Sequence, residues 1–87
     1  MIFQKIGTVQ IDEELTLTDP KMQMMMLHYD MINNTFTIDI EFWEIGYRHQ
    51  KTFEFVNPTP NVMTMDMIMT ELSQHPLLSQ FINNPIG

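Results

Sequence analysis

The stretch KMQMMMLHYDMINNTFTIDIEFWE, residues 21–44, carries the pattern that decides the fold. Two alternating runs flank Asn33-Asn34, and alternation with period two is the mark of a strand. Asn tolerates the positive φ of a type I′ turn, so the pair reads as a two-residue hairpin turn. That turn places Ile32 opposite Thr35, Tyr29 opposite Ile38, His28 opposite Asp39 and Met24 opposite Trp43. One face then holds Met25, Leu27, Tyr29 and Met31 beside Phe36, Ile38, Ile40 and Phe42. This is the expected core, joined by Phe53 and Phe55 from a following strand.

The opposite face of the predicted hairpin is polar near the turn, with His28, Asp30, Thr35, Thr37, Asp39 and Glu41. At its far end Met22, Met24, Met26, Trp43 and Ile45 form an apolar patch. Three readings of that patch compete. The first strands could fold over it. It could be a protein interface, since Met and Trp are enriched at interface centres and apolar patches rimmed by charge mark such sites. Alternatively, Met24, Met26 and His28 with Trp43 offer two thioethers, an imidazole and an indole face, a donor set suited to Cu(I).

Outward from the hairpin the alternating pattern covers residues 2–56. A first strand spans 2–11, with Gly7 a point of bulge or close approach. A short second strand holds Leu15 and Leu17 and stops at Asp19-Pro20. The hairpin strands at 22–32 and 35–45 follow, then a fifth at 52–56. Arg48, His49 and Lys51 are expected at a hairpin tip, as an exposed polar turn. The segment NPTPN, 57–61, ends the strands. A helix is predicted over 64–74, N-capped by Thr64 or Asn61, with a stripe of Met65, Ile68, Met69 and Leu72. Its main rival is a strand over 62–70, because Met63, Met65, Met67 and Met69 also alternate. Val62, Met63 and Met67 lie off the stripe, so apolar residues nearly encircle this helix and Met63 and Met67 join the candidate interface. Pro76 suits the first turn of a last short helix ending near Ile82, which His75 is expected to cap.

Composition narrows the function classes. The 87 residues are expected to form a single small α+β domain, with a β-meander over 2–56 and a helical tail over 61–83. The formal net charge is −7, with Lys5, Lys21, Lys51 and Arg48 as the cations. Nucleic-acid phosphates and anionic membranes are therefore poor partners. There are no cysteines, so neither disulfide nor thiolate chemistry is open. No basic stretch precedes an apolar run at the start of the sequence, which leads to the expectation of a cytoplasmic protein without a secretion signal. Alanine is absent, and Met and Ile number ten each. That bias fits an A+T-rich genome such as a phage or its host could have.

Catalytic candidates are few. Ser73 and Ser79 lack a glycine-rich elbow. Asp30, Asp39 and Glu41 around His28 could do acid–base work, but a domain this small has little room for a substrate pocket beside its core. The expectation is thus no enzyme and no cofactor. The protein reads as a non-catalytic structural or assembly protein. It would act as a homo-oligomer or as a subunit of a larger particle, a small phage virion component being one setting. Its interface is expected at Met22, Met24, Met26, Trp43, Ile45, Met63 and Met67. The rival class is a small acidic inhibitor that mimics nucleic acid and binds a basic host protein.

Overall fold

Six strands and two helices follow one another in the computed structural model, which describes residues 1–60 and 62–86. They are β1 (Ile2–Gln4), β2 (Thr8–Asp12), β3 (Leu15–Thr18), β4 (Lys21–Asp30), β5 (Thr35–Glu44), β6 (Tyr47–Val56), α1 (Met65–Gln74) and α2 (Ser79–Ile82). The fold is α+β: an antiparallel sheet of order β1-β4-β5-β6, a β2–β3 hairpin and the two helices.

The predicted first strand is two strands. β1 pairs with β4, whereas β2 pairs with β3. Between them Gly7 has φ 109°, a conformation that costs an L side chain but not glycine. The Gly7 N–H donates to Asp19 Oδ1 at 2.6 Å, and the Asp19 N–H donates to the Gly7 carbonyl at 2.8 Å. The chain thus leaves the main sheet at Gly7 and re-enters it at Asp19, with both crossing points tied to each other.

The β4–β5 hairpin turns through four residues, 31–34, rather than two. Asp30 is the cause. Its Oδ1 accepts the N–H groups of Ile32 and Asn33 at 2.9 and 3.1 Å, and its Oδ2 accepts the Asn33 side-chain amide at 2.8 Å. Asn34 supplies the one positive φ of the turn, 53°. The register becomes Asp30↔Thr35, Tyr29↔Phe36 and Leu27↔Ile38. A shift of two residues leaves each side chain on its face, so Phe36, Ile38, Ile40 and Phe42 are buried as expected. A bulge between Met24 and Met26 then changes the parity. Beyond it Met24 lies opposite Ile40 and Met22 opposite Phe42, which turns both toward the core.

β6 is twice as long as predicted. Ile45-Gly46 makes a two-residue turn, with Gly46 at φ 82°, and β6 pairs with β5 from Tyr47 to Val56 without interruption. Arg48, His49 and Lys51 therefore lie within a strand and not at a tip.

The β2–β3 hairpin and the helices cover the same face of the sheet. Val9, Ile11 and Leu17 from the hairpin and Ile68, Leu72, Leu78 and Phe81 from the tail are buried with the sheet aromatics. Phe42 meets Phe81 with ring centroids 5.5 Å apart, and Phe53 meets the His75 ring edge-on at 5.1 Å. Each such buried side chain stabilises by about 1.5–3 kcal/mol. Residues 65–74 are helical, not extended: Thr64 Oγ1 accepts the Met67 N–H at 3.2 Å as N-cap. Asn61, the other candidate cap, lies outside the described residues. His75 is the C-cap of α1 and not, as expected, the cap of the last helix. Its Nδ1 accepts the Leu77 and Leu78 N–H groups at 3.1 and 3.4 Å in the turn that holds Pro76, and α2 starts beyond it with Leu78 as N-cap and no side-chain cap. Among the described residues, no helix is long and apolar enough to cross a membrane.

Candidate functional site

The expected apolar patch is dispersed by the bulge. Met22 is fully buried in the core, and Met24 packs half-buried against it. Met26 stays on the outer face, paired with Asp39 and exposed. Trp43 lies opposite Lys21 on one side and Arg48 on the other, with the guanidinium carbon 5.5 Å from its ring centroid. Ile45 is fully exposed at the β5–β6 turn. Met63 packs partly against the core, and Met67 is half-buried on α1. The seven residues thus share no single surface. An insertion of one residue reverses the faces of everything beyond it, and nothing in the alternation of residues 21–31 marks where it falls.

The Cu(I) donor set comes apart for the same reason. Met24 points inward opposite Ile40, Met26 outward opposite Asp39, and Trp43 pairs at the far end of the sheet with Lys21. Among the described residues, no three His, Asp or Glu side chains gather as a metal site.

Among the described residues, the outer face of the sheet has no layer over it, and its polar groups engage one another. His28 Nε2 lies 4.0 Å from Asp39 Oδ2, whose other oxygen accepts the Thr52 hydroxyl at 2.6 Å. Glu41 pairs with Arg48, and that arginine also covers Trp43. Asp30 is taken up by the turn, and three hydrogen bonds from Asn33 and Ile32 hold its carboxyl below the usual range. On the covered side Asp12 is bound by Lys51 at 2.9 Å and His49 at 3.5 Å, and the Lys51 hydrogen bond is the main cause of its lowered pKa. Ser73 and Ser79 donate to the carbonyls of Thr70 and Pro76. The larger surface cleft lies at the β5–β6 turn, open to solvent between Trp43, Glu44, Tyr47, Arg48, Lys21 and Asp19. Glu44 there already accepts the Thr18 N–H at 2.6 Å.

One margin of the sheet leaves a row of apolar groups uncovered, besides the exposed apolar side chains scattered elsewhere, such as Ile6, Ile45, Val56 and Met65. β1 pairs only with Lys21–Gln23, so the outer side of residues 24–30 has no neighbouring strand among the described residues. Met25, Met26 and Leu27 there are 51, 56 and 43% exposed. In the turn beyond, Met31 is 71% and Ile32 94% exposed. Met25, Leu27 and Met31 were expected in the core. Leu27 does lie on the core side, opposite Ile38, but on the last strand of the sheet at that level. Met25 is the inserted residue of the bulge, and Met31 belongs to the lengthened turn. The signal in the sequence was the methionine run itself, without a charge between Met22 and Tyr29.

The chain matches no protein-family model, and neither the curated proteins nor the solved structures provide a significant match.

Proposed function

We propose that the protein is a non-catalytic structural or assembly protein that works as a homo-oligomer or as a subunit of a larger particle. The observation that carries this reading is the row of exposed Met25, Met26, Leu27, Met31 and Ile32 along one strand edge and its turn. Apolar groups so placed and rimmed by polar ones favour a protein partner, and methionine adapts to such contacts. The non-catalytic part is supported by the state of the reactive side chains. The carboxylates Asp12, Asp39, Glu41 and Glu44 and the two serines hold structural partners, and the clefts are open. The setting in a small phage virion is supported only by the A+T-rich codon bias implied by the composition.

The acidic-inhibitor reading draws on the open face of the sheet, which carries Asp30, Asp39, Glu41 and Glu54 on a chain of net charge −7. Arg48 neutralises Glu41 at the centre of that face, which weakens it as a mimic of a phosphate row.

Light scattering after size exclusion tests the leading reading. We expect an oligomer for the wild type and smaller species for Met26→Glu, with the circular dichroism of the fold retained. A monomer at every concentration removes the homo-oligomer. A basic partner bound with steep loss of affinity in salt would favour the inhibitor.

A further inference from the structure

Among the described residues, the chain protects two of the three margins of the four-stranded sheet and leaves the third open. The outer side of β1 is covered by the C-terminal segment. There the Gln4 N–H donates to the Asn84 carbonyl at 3.1 Å, the Ile86 N–H donates to the Ile2 carbonyl at 2.8 Å, and Phe3 bridges Pro85. The outer side of β6 carries Arg48, Lys51 and Glu54, and charge on an edge strand discourages pairing. The outer side of β4 beyond Gln23 has neither cover nor charge until Asp30. Its backbone donors and acceptors on that side have no strand partner among the described residues, and its side chains from Met24 to Leu27 are apolar.

We propose that this edge of β4 pairs antiparallel with the same edge of a second copy, which joins the two sheets across a two-fold axis. The inference rests on the oligomeric reading above and names its interface. Three features favour a second copy over a foreign chain. From Met24 to Tyr29 the edge has no Asp, Glu, Lys or Arg in a chain of net charge −7, and the Asp30 carboxylate at its end is taken up by Ile32 and Asn33, so the edge offers little to select a basic partner electrostatically. An antiparallel edge is complementary to itself, and the two-fold closes the assembly as a dimer. The register also matches. Directly paired residues in a sheet point to one side, so a two-fold must pass through a residue and not between two. The regular stretch after the bulge is residues 26–30, and His28 is its centre. An axis at His28 sets Leu27 against the second copy's Tyr29 on the helix side, and Met26 against its Asp30 on the other. It also sets Met31 beside the second copy's Met25 at the bulge. The half-exposed Leu27 and the most exposed methionines of the strand and turn are thereby covered in one step.

The absence of cysteine makes the test clean. His28→Cys puts a thiol at the axis, and Gln50→Cys puts one on β6 as a control. Mild oxidation is expected to cross-link most of the His28→Cys protein as a dimer and little of Gln50→Cys. Because both copies are acidic, wild-type association should strengthen as salt rises, the reverse of a contact with a basic partner. Leu27→Lys should weaken it at least tenfold with the melting temperature of the monomer nearly unchanged. An oligomer that neither cross-links through residue 28 nor responds to Leu27→Lys would keep the oligomeric reading and overturn this interface. A monomer throughout would overturn both, and growth into fibres would replace the closed pair by a non-closing contact.

Discussion

Asn57 is the only buried polar side chain in the described protein, 2% exposed, and it ties three elements together. Its Nδ2 donates to the Val62 carbonyl at 2.9 Å and its Oδ1 accepts the Thr59 N–H at 3.2 Å. The Tyr29 hydroxyl lies 3.4 Å from the same amide nitrogen. Its backbone N–H donates to the Asn34 carbonyl, and its own carbonyl accepts the Asn34 side-chain amide, both at 2.9 Å. The exit from β6 is thus held to the β4–β5 turn and to the approach of α1. A buried acceptor stripped of its donor keeps its desolvation cost, so Asn57→Ala should destabilise by about 1–3 kcal/mol. The midpoint of urea unfolding measures this, and a loss within a few tenths would mean that water replaces the amide. Asn57→Asp should cost at least as much, because a carboxylate cannot donate to the Val62 carbonyl.

At the scale of the element, β4 is decided by two local choices. The Asp30 carboxylate draws the turn out to four residues, and one extra residue near Met25 reverses the strand's faces. Without that bulge, Met22, Met24 and Met26 would be equivalent positions on one side. With it, Met22 is core and Met26 is surface. Met22→Ala should therefore cost about 2–5 kcal/mol, as core truncations do. Met26→Ala in the monomer should stay within about 0.5 kcal/mol. Urea titrations of the two variants at a concentration below self-association separate these outcomes. Equal losses would restore the unbulged register. β5 keeps its parity throughout, with Phe36, Ile38, Ile40 and Phe42 on the buried face: Ile38→Asp should unfold the protein while Thr37→Asp is mild.

The molecule as a whole is a sheet covered on one face, and His75 sits where the helical tail meets it. Its ring packs edge-on against Phe53 and Phe55, and its Nδ1 accepts two backbone N–H groups, so the neutral form is the one the fold holds. Burial, and after it the charge of Lys51, lowers its pKa below the usual 6.5. The unfolded chain then binds the proton first as pH falls. Stability is full above about pH 6.5 and declines as pH drops from there through the folded-state value. Asp12 and Asp30, with pKa values lowered from 3.8, add their losses only at lower pH. The melting temperature should accordingly fall between pH 7 and pH 5 in the wild type. In His75→Asn, which can still accept the two N–H groups, that slope should flatten. An unchanged slope would place the titration elsewhere.

Much of this was legible in the chain alone, because it rests on local chemistry. The alternation of residues 35–42 makes a strand with a buried side, and Thr64 ahead of an apolar stripe makes a capped helix. His75-Pro76 separates two helices, and the change from period-two runs to a helical stripe after residue 56 makes an α+β chain with a methionine-rich strand. A register shift of two residues also left the core of β5 intact, since strand periodicity is two. What only the tertiary structure decided is of odd parity or long range. Gly7 ends one strand and begins another because Asp19, twelve residues on, pins it from across the fold. The bulge at Met25 sends Met22 and Met24 inward and leaves Met26 outside, and an alternating run of methionines reads the same with or without it. The open edge of β4 follows from where β1 stops and from the C-terminal segment covering β1 instead. These are pairings between distant segments, and their free energies are set by neighbours that no window of the sequence contains.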